Sequence, residues 1–219
     1  MPKSEVYNCN CMDTDRGLPS YFDNYFDLAV VDPPYGIKGH KQRVFNDGKE
    51  WDNNIPKSSY FYELKRVSKN YIVWGGNYFS DVWPCKNFIV WDKRQPQGLT
   101  FAMIEIAATS FDKPAELYFT QPAGRRGFYT VDEKRIHPTQ KPLKLYNWIL
   151  RKYAKKGDLI LDTHIGSGSS RIAAYKMGYD FIGYELDSDY FNDMNKRFDK
   201  ECKNIEVIKG IEYKQQSLF

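Results

Sequence analysis

Nothing in the 219 residues looks like a membrane span, because no apolar run approaches the length needed to cross a bilayer. Nor does a signal peptide open the chain: Pro2-Lys3-Ser4-Glu5 leads directly into polar sequence, and a cytoplasmic location is expected. Cysteine is sparse. Cys9, Cys11, Cys85 and Cys202 are scattered, and no C-x-x-C or close histidine completes a zinc set, so thiols in a reducing compartment are expected and a metal is not. There is no internal repeat and no low-complexity tract. The net charge of +4 is too small to announce a polyanionic partner, though it permits one. A 16% aromatic share argues against disorder, and the length suffices for one substantial α/β domain that needs neither disulfide nor metal.

One short stretch organises the rest, Ala29-Val30-Val31-Asp32-Pro33-Pro34-Tyr35-Gly36. The apolar run from Phe26 to Val31 reads as a buried strand that stops at an acid followed by two prolines. Proline cannot donate to a sheet ladder, so the strand ends there and the chain stiffens just past its tip. Ligands of open α/β sheets bind at such tips. A fixed carboxylate (Asp32), a held carbonyl (Pro33) and a projecting aromatic (Tyr35) are therefore expected at a site mouth. These groups suit an exocyclic amino group of a nucleobase, whose lone pair is delocalised into the ring. Two acceptors, Asp32 and the Pro33 carbonyl, would hold both N–H groups and stabilise developing positive charge, and Tyr35 would stack on a base flipped out of its helix. The competing reading is a plain proline turn, and a second element is needed to decide.

Along the chain, Glu5 to Asn10 reads as a short strand leading to Asp13, and Tyr60, Phe61, Leu64 and Val67 give a helical face. The polar stretch with Lys38, His40, Lys41 and Arg43 reads as a lid or binding loop beside the site. Tyr71 to Trp74 and Phe88 to Trp91 are strands, and Met103–Ala107 with Glu116–Phe119 read as an antiparallel pair. Gly124-Arg125-Arg126-Gly127-Phe128-Tyr129 interleaves basic and aromatic residues, which suits phosphate contact and base stacking, or is simply a solvated loop. His137-Pro138-Thr139-Gln140-Lys141-Pro142 precedes a helix carrying Leu145, Trp148, Ile149 and Tyr153.

The second element is Asp158 to Asp162, a strand running into Thr163-His164-Ile165-Gly166-Ser167-Gly168-Ser169-Ser170, then a helix, then the strand Phe181 to Tyr184 ending at Glu185. This is a βαβ unit with a glycine turn and an acid at the next strand tip, where Glu185 can accept hydrogen bonds from ribose hydroxyls. The third glycine of G-x-G-x-x-G is missing, since position 171 is Arg, and Asp162 would oppose a pyrophosphate. An amine and a sulfonium fit that acid better, which points to S-adenosylmethionine over NAD.

Together these motifs resemble the amino-methyltransferases of DNA, which methylate adenine N6 or cytosine N4. Asp32-Pro33-Pro34-Tyr35 matches the catalytic motif, Asp162 to Ser170 the cofactor motif (commonly D-P-F-x-G-S-G-T), and His137 to Pro142 the H-P-T-Q-K-P segment. Their order resembles the permuted beta group. The resemblance implies a single three-layer, Rossmann-like, S-adenosylmethionine-dependent methyltransferase fold (α/β, mostly parallel sheet) over residues 1–210, with a small target-recognition region at about 93–136 inserted. It implies that Asp32, Pro33, Pro34 and Tyr35 hold the base. Asp162, Gly166, Ser167, Gly168 and Glu185 would contact the cofactor, Thr139, Gln140 and Lys141 would lie near its methionine end, and Asp13 would meet its adenine. Lys38, Lys41, Arg43, Arg125 and Arg126 would contact double-stranded DNA. Homodimers are frequent among such relatives, and a bacterial or phage-infected cell, close to the nucleoid, is the expected setting. Thr163-His164 departs from the family's Pro-Phe, with His164 either structural or tuning cofactor affinity.

Adenine N6 is the expected target, because the cytosine-N4 group more often carries Ser where this chain has Asp32. A cytosine C5 enzyme would use Pro84-Cys85 as nucleophile and leave Asp32 to Tyr35 unexplained. The remaining alternative is a binding module for cofactor and DNA that does not catalyse. Residues 211–219 read as a tail, and Gln215-Gln216-Ser217-Leu218-Phe219 resembles the pentapeptide by which bacterial proteins dock on the sliding clamp.

Overall fold

Residues 1–37, 52–95, 98, 102–119, 134–202, 205–208 and 211–214 are described by the computed structural model. The organising strand, β2 (Phe26–Val31), lies in the middle of an eight-stranded sheet. It is apolar throughout except at Asp27, as a strand covered on both faces must be. Leu28 and Val30 face one layer, and Ala29 and Val31 face the other, following the two-residue period of the pleat.

The other members of the sheet are β1 (Ser4–Tyr7), β3 (Ser68–Trp74), β4 (Asn87–Asp92), β5 (Ile104–Thr109), β6 (Glu116–Phe119), β7 (Leu159–Asp162) and β8 (Asp180–Tyr184). Their order is β1-β8-β7-β2-β3-β5-β4-β6, and the run from β1 to β3 is entirely parallel. On one face pack α2 (Leu143–Tyr153), α3 (Ser169–Lys176) and α4 (Ser188–Cys202), through Leu145, Ile149, Ala173 and Met194. On the other packs α1 (Ser58–Val67), through the expected Tyr60, Phe61, Leu64 and Val67. This is a three-layer α/β fold of the Rossmann-like kind.

One expectation is corrected. β5 and β6 do not pair with each other; both flank β4, β5 antiparallel and β6 parallel, because β3 and β4 already occupy the two edges of β5. The expected boundary at residue 210 lies between β9 (Ile205–Ile208) and β10 (Ile211–Lys214), which pair as a two-stranded antiparallel ribbon. Gln215 to Phe219 lie outside the described residues.

From β2 the chain passes through α1 to β3 on one side, and from β7 through α3 to β8 on the other. β2 and β7 are adjacent, with Leu28 opposite Ile160 and Ala29 opposite Leu161. The reversal between them opens a crevice at their C-terminal tips, where Asp32 and Thr163 follow.

Candidate active site

A cleft of about 520 Å³ occupies that crevice. Its wall on the β7–β8 side is the turn from Thr163 to Ser167 together with Glu185. Glu185 fixes the turn, its Oε2 accepting the Gly166 N–H at 2.9 Å and its Oε1 the Asp187 N–H at 2.9 Å. From α4, the buried Arg197 donates to the Ser167 carbonyl at 2.9 Å and to Ser169 Oγ at 3.0 Å, holding the same turn from behind. Gly168 has φ +79°, and a Cβ there would meet Met194 Cγ at 2.6 Å. The glycine is needed for helix packing at that position.

Across the cleft lie Asp32 and Pro34 beyond β2, and His137, Thr139, Gln140 and Lys141 before α2. The latter segment is tied internally. His137 Nδ1 lies 3.3 Å from the Thr139 N–H, Gln140 Oε1 accepts the Ile136 N–H at 3.0 Å, and the His137 ring packs edge-on against Tyr190.

Asp32 sits in a web of half-buried charge around the buried Lys141. Its Oδ1 accepts the Tyr35 hydroxyl at 2.6 Å, and its Oδ2 pairs with Lys141 Nζ at 2.5 Å. Lys141, only 3% exposed, also pairs with Glu105 Oε2 at 3.0 Å, and Glu105 is paired in turn with Lys93. Burial pushes the Asp32 carboxyl above the usual carboxylate range, and Lys141 only partly opposes it. Burial acts on Glu105 too, but its two lysines outweigh it and hold that carboxyl down at about 2. Lys141 stays charged because the two carboxylates outweigh its desolvation. Tyr35 is held protonated by burial and by the neighbouring acids, so it donates.

The Tyr35 ring does not project as expected. It stacks on Tyr78 (centroids 5.2 Å apart, planes 16° apart) over Gly75, so it lies inside the fold beside the cleft. Pro33 and Tyr35 do not line the cleft, whereas Asp32 and Pro34 do. Asp13 is also away from it. Exposed at the surface, its Oδ1 accepts the N–H groups of Asp15 and Arg16, each at 3.0 Å, and Cys9, Asn10 and Cys11 line the cleft in its place. Asp162 lies beneath the wall at 1% exposure, bonded to the Ser170 hydroxyl at 2.5 Å and to the His164 N–H at 3.0 Å. Lys141 lines the cleft, but its ammonium is held by Asp32 and Glu105. Lys38, Lys41, Arg43, Arg125 and Arg126 lie outside the described residues.

The departure at Thr163-His164 has a local explanation. Tyr60 from α1 bonds Thr163 Oγ1 at 2.7 Å, Thr163 Oγ1 bonds His164 Nδ1 at 2.9 Å, and the His164 ring meets Tyr60 edge-on. Burial lowers the His164 pKa to about 4, so the ring that lines the cleft is neutral near pH 7. Glu105, Lys93, Tyr60 and Arg197 were not legible as site residues. A carboxylate inside the apolar run Met103-Ile104-Glu105-Ile106-Ala107 was the available signal for the first.

Burial raises Asp162 to about 7, against its bonds to Ser170 and His164. A carboxyl with a raised folded pKa holds its proton better in the folded state, so stability falls as pH rises through the window from about 4 to about 7. The shift corresponds to about 4 kcal/mol at most. Urea denaturation from pH 4.5 to 8 should show this decline, and Asp162→Asn should flatten it, with Asp32 and Glu185, also raised by burial, supplying what slope remains.

The sequence model of a family described as DNA methylase matches residues 60–196. Among curated relatives, the type II methyltransferase M1.MboII of Moraxella bovis is 24% identical over 88% of this chain and 95% of its own. Among solved structures, the complex of M1.HpyAVI with SAM superposes with a TM-score of 0.58 at 20% identity, over 88% of this chain and 98% of that one. The cytosine-N4-specific PvuII DNA methyltransferase superposes with a TM-score of 0.57 at 15% identity, over 90% of this chain and 89% of that one.

Proposed function

Since the chain belongs to the DNA methylase family of adenine-N6 and cytosine-N4 amino-methyltransferases, we propose that it is a type II methyltransferase of restriction–modification. It transfers a methyl group from S-adenosylmethionine to N6 of an adenine flipped out of double-stranded DNA. The observation that carries this reading is the position of Asp32. It stands at the tip of β2, on the wall of a cleft whose opposite wall is the glycine turn of β7 and Glu185.

The cleft suits the cofactor in size and in charge. Its volume of about 520 Å³ lies within the usual range for ligand sites. Glu185 and Asp187 on its walls oppose a pyrophosphate and favour a ligand bearing an ammonium and a sulfonium. Glu185 is placed for the ribose hydroxyls, and Thr139 and Gln140 for the methionine end. S-adenosylmethionine supplies a methyl carbon made electrophilic by the sulfonium.

Asp32 and the Pro33 carbonyl accept the two N–H groups of the target, drawing the nitrogen lone pair out of conjugation and stabilising the charge that grows there. Tyr35, locked by its hydrogen bond to Asp32, keeps the carboxylate aimed and forms an aromatic stack with Tyr78, a residue 44% exposed that would extend the stack to a base. Flipping costs a few kcal/mol, offset by that stack and by phosphate contacts.

Asp32 at the first motif position favours adenine. The likeness to the cytosine-N4-specific PvuII enzyme supports N4 of cytosine as the second reading. Incubation with unmethylated DNA and S-adenosylmethionine, digestion to nucleosides and mass spectrometry decide between them. N6-methyladenine is expected; N4-methylcytosine keeps the mechanism and replaces the base; neither product overturns the reading.

A further inference from the structure

Glu105 has no part in the chemistry described so far, yet it lies in the same buried web as the catalytic acid. Asp32, Glu105, Lys141 and Lys93 make two negative and two positive charges, with Lys141 Nζ 2.5 Å from Asp32 Oδ2 and 3.0 Å from Glu105 Oε2. One ammonium therefore bridges two carboxylates. It is confined there by aromatic faces, the Trp74 centroid at 5.4 Å and the Tyr35 centroid at 5.6 Å.

That arrangement conflicts with catalysis if it stays fixed. An Asp32 neutralised by a lysine cannot stabilise positive charge growing on the target nitrogen, and the lysine itself repels that charge. One acceptor oxygen of Asp32 is also occupied by the ammonium. A charge this deeply buried cannot leave for solvent without a large cost, so it needs a second partner within reach.

We propose that Glu105 is a positioning residue that takes over Lys141 when the target amino group engages Asp32. Lys141 then has two seats. In the empty site it sits against Asp32 and favours the carboxylate form; in the loaded site it rests on Glu105, and the amino N–H replaces it on Asp32. Lys93 keeps Glu105 ionised throughout, so the second seat is always available. Among the described residues, the other titratable groups that interact with Asp32 are Tyr35, the hydroxyl of Tyr146 from α2, that of Tyr60 from α1, and Asp162 beneath the β7 turn. None of these four is a cation, and Lys141 is the cation paired with Asp32.

This inference rests on the proposed methyl transfer, and the test separates the two. Methylation of duplex DNA is followed over pH 5.5–9 for wild type, Glu105→Gln, Lys141→Met and the double variant, with circular dichroism and S-adenosylmethionine titration as controls. In Glu105→Gln the lysine keeps its bond to the Tyr35 hydroxyl at 3.1 Å but has one carboxylate seat, and kcat should fall about 10²-fold with cofactor Kd nearly unchanged. In Lys141→Met, Asp32 loses its cation and the acid limb of the pH profile should move to higher pH. The double variant restores charge balance and should exceed Glu105→Gln by about tenfold at high pH, since Asp32 is then free and ionised. A double variant no better than Glu105→Gln, an unaltered acid limb in Lys141→Met, or an unaffected kcat in Glu105→Gln overturns the hand-over while leaving the methyl transfer standing. Variants that fail the circular dichroism control give Glu105 a purely structural part and also overturn it. Wild type without product on either base overturns both.

Discussion

Asp32→Ala is expected to lower methyl transfer by about 10³-fold or more while S-adenosylmethionine binding stays within about threefold. The binding side of that expectation follows from the division of the cleft. The Gly166 turn, Glu185 and the Arg197 brace are bonded to one another and not to Asp32, so they persist without it. Folding should also survive. Removing one partner of a buried ion pair usually costs about 3–5 kcal/mol, because the other charge is stranded. Here Lys141 keeps Glu105 at 3.0 Å, so the loss should fall below that range. Asp32→Asn separates charge from shape: its amide oxygen can still accept the Tyr35 hydroxyl, but its negative charge is gone. Single-turnover rates should rank wild type, then Asn, then Ala. Equal rates for Asn and wild type would remove the electrostatic role assigned to the carboxylate.

The second large effect is expected at a position with no chemistry of its own. Gly75 follows β3 with φ +67°, and a Cβ built there overlaps the Tyr35 ring. Gly75→Val therefore combines a left-handed backbone, costing about 1–2 kcal/mol, with overpacking worth about 1–3 kcal/mol. The Tyr35 ring is the softer party. It should be driven off its seat against Tyr78, taking its hydroxyl away from Asp32, so kcat should drop together with stability. Gly157 provides the comparison. Its φ is +89°, but nothing lies within 4 Å of a Cβ there. Gly157→Val should show the backbone penalty alone, with kcat retained. Urea midpoints and initial rates of the two variants, measured side by side, test the difference.

What could be read from the sequence was whatever is local. Phe26 to Val31 running into Asp-Pro-Pro announces a strand end, Gly166-Ser167-Gly168 after Leu159–Asp162 announces a strand–turn–helix, and the faces of α1 and α2 follow from 3.6-residue spacing. These signals sufficed for the three-layer fold and for placing Asp32, Pro34, Gly166, Ser167 and Glu185 around one cleft. What escaped depends on contacts across long separations. Glu105 meets Lys141 only because β5 is folded back antiparallel between β3 and β4, and pairing partners are not encoded in strand patterns. The inward seat of Tyr35 depends on Gly75 and Tyr78, which lie on another strand connection. Asp13 shows the opposite case, a local bond that the sequence reading did not weigh: a short polar side chain in a turn readily bonds its own backbone.

The pairing of β1 with β8 has a consequence for how the molecule comes into being. Lys3 N–H bonds Asp180 Oδ1, a separation of 177 residues. At ordinary translation speeds the first partner waits roughly 10–35 s for the second to emerge from the ribosome. During that interval β2 and α1 are already made, so Asp32, the proposed acceptor, is synthesised long before β7 and β8 exist to face it. A nascent chain thus carries one wall of the cleft without the other. Long-range parallel pairing of this kind also folds slowly. The cleft is therefore closed only by the last part of the sheet to be made.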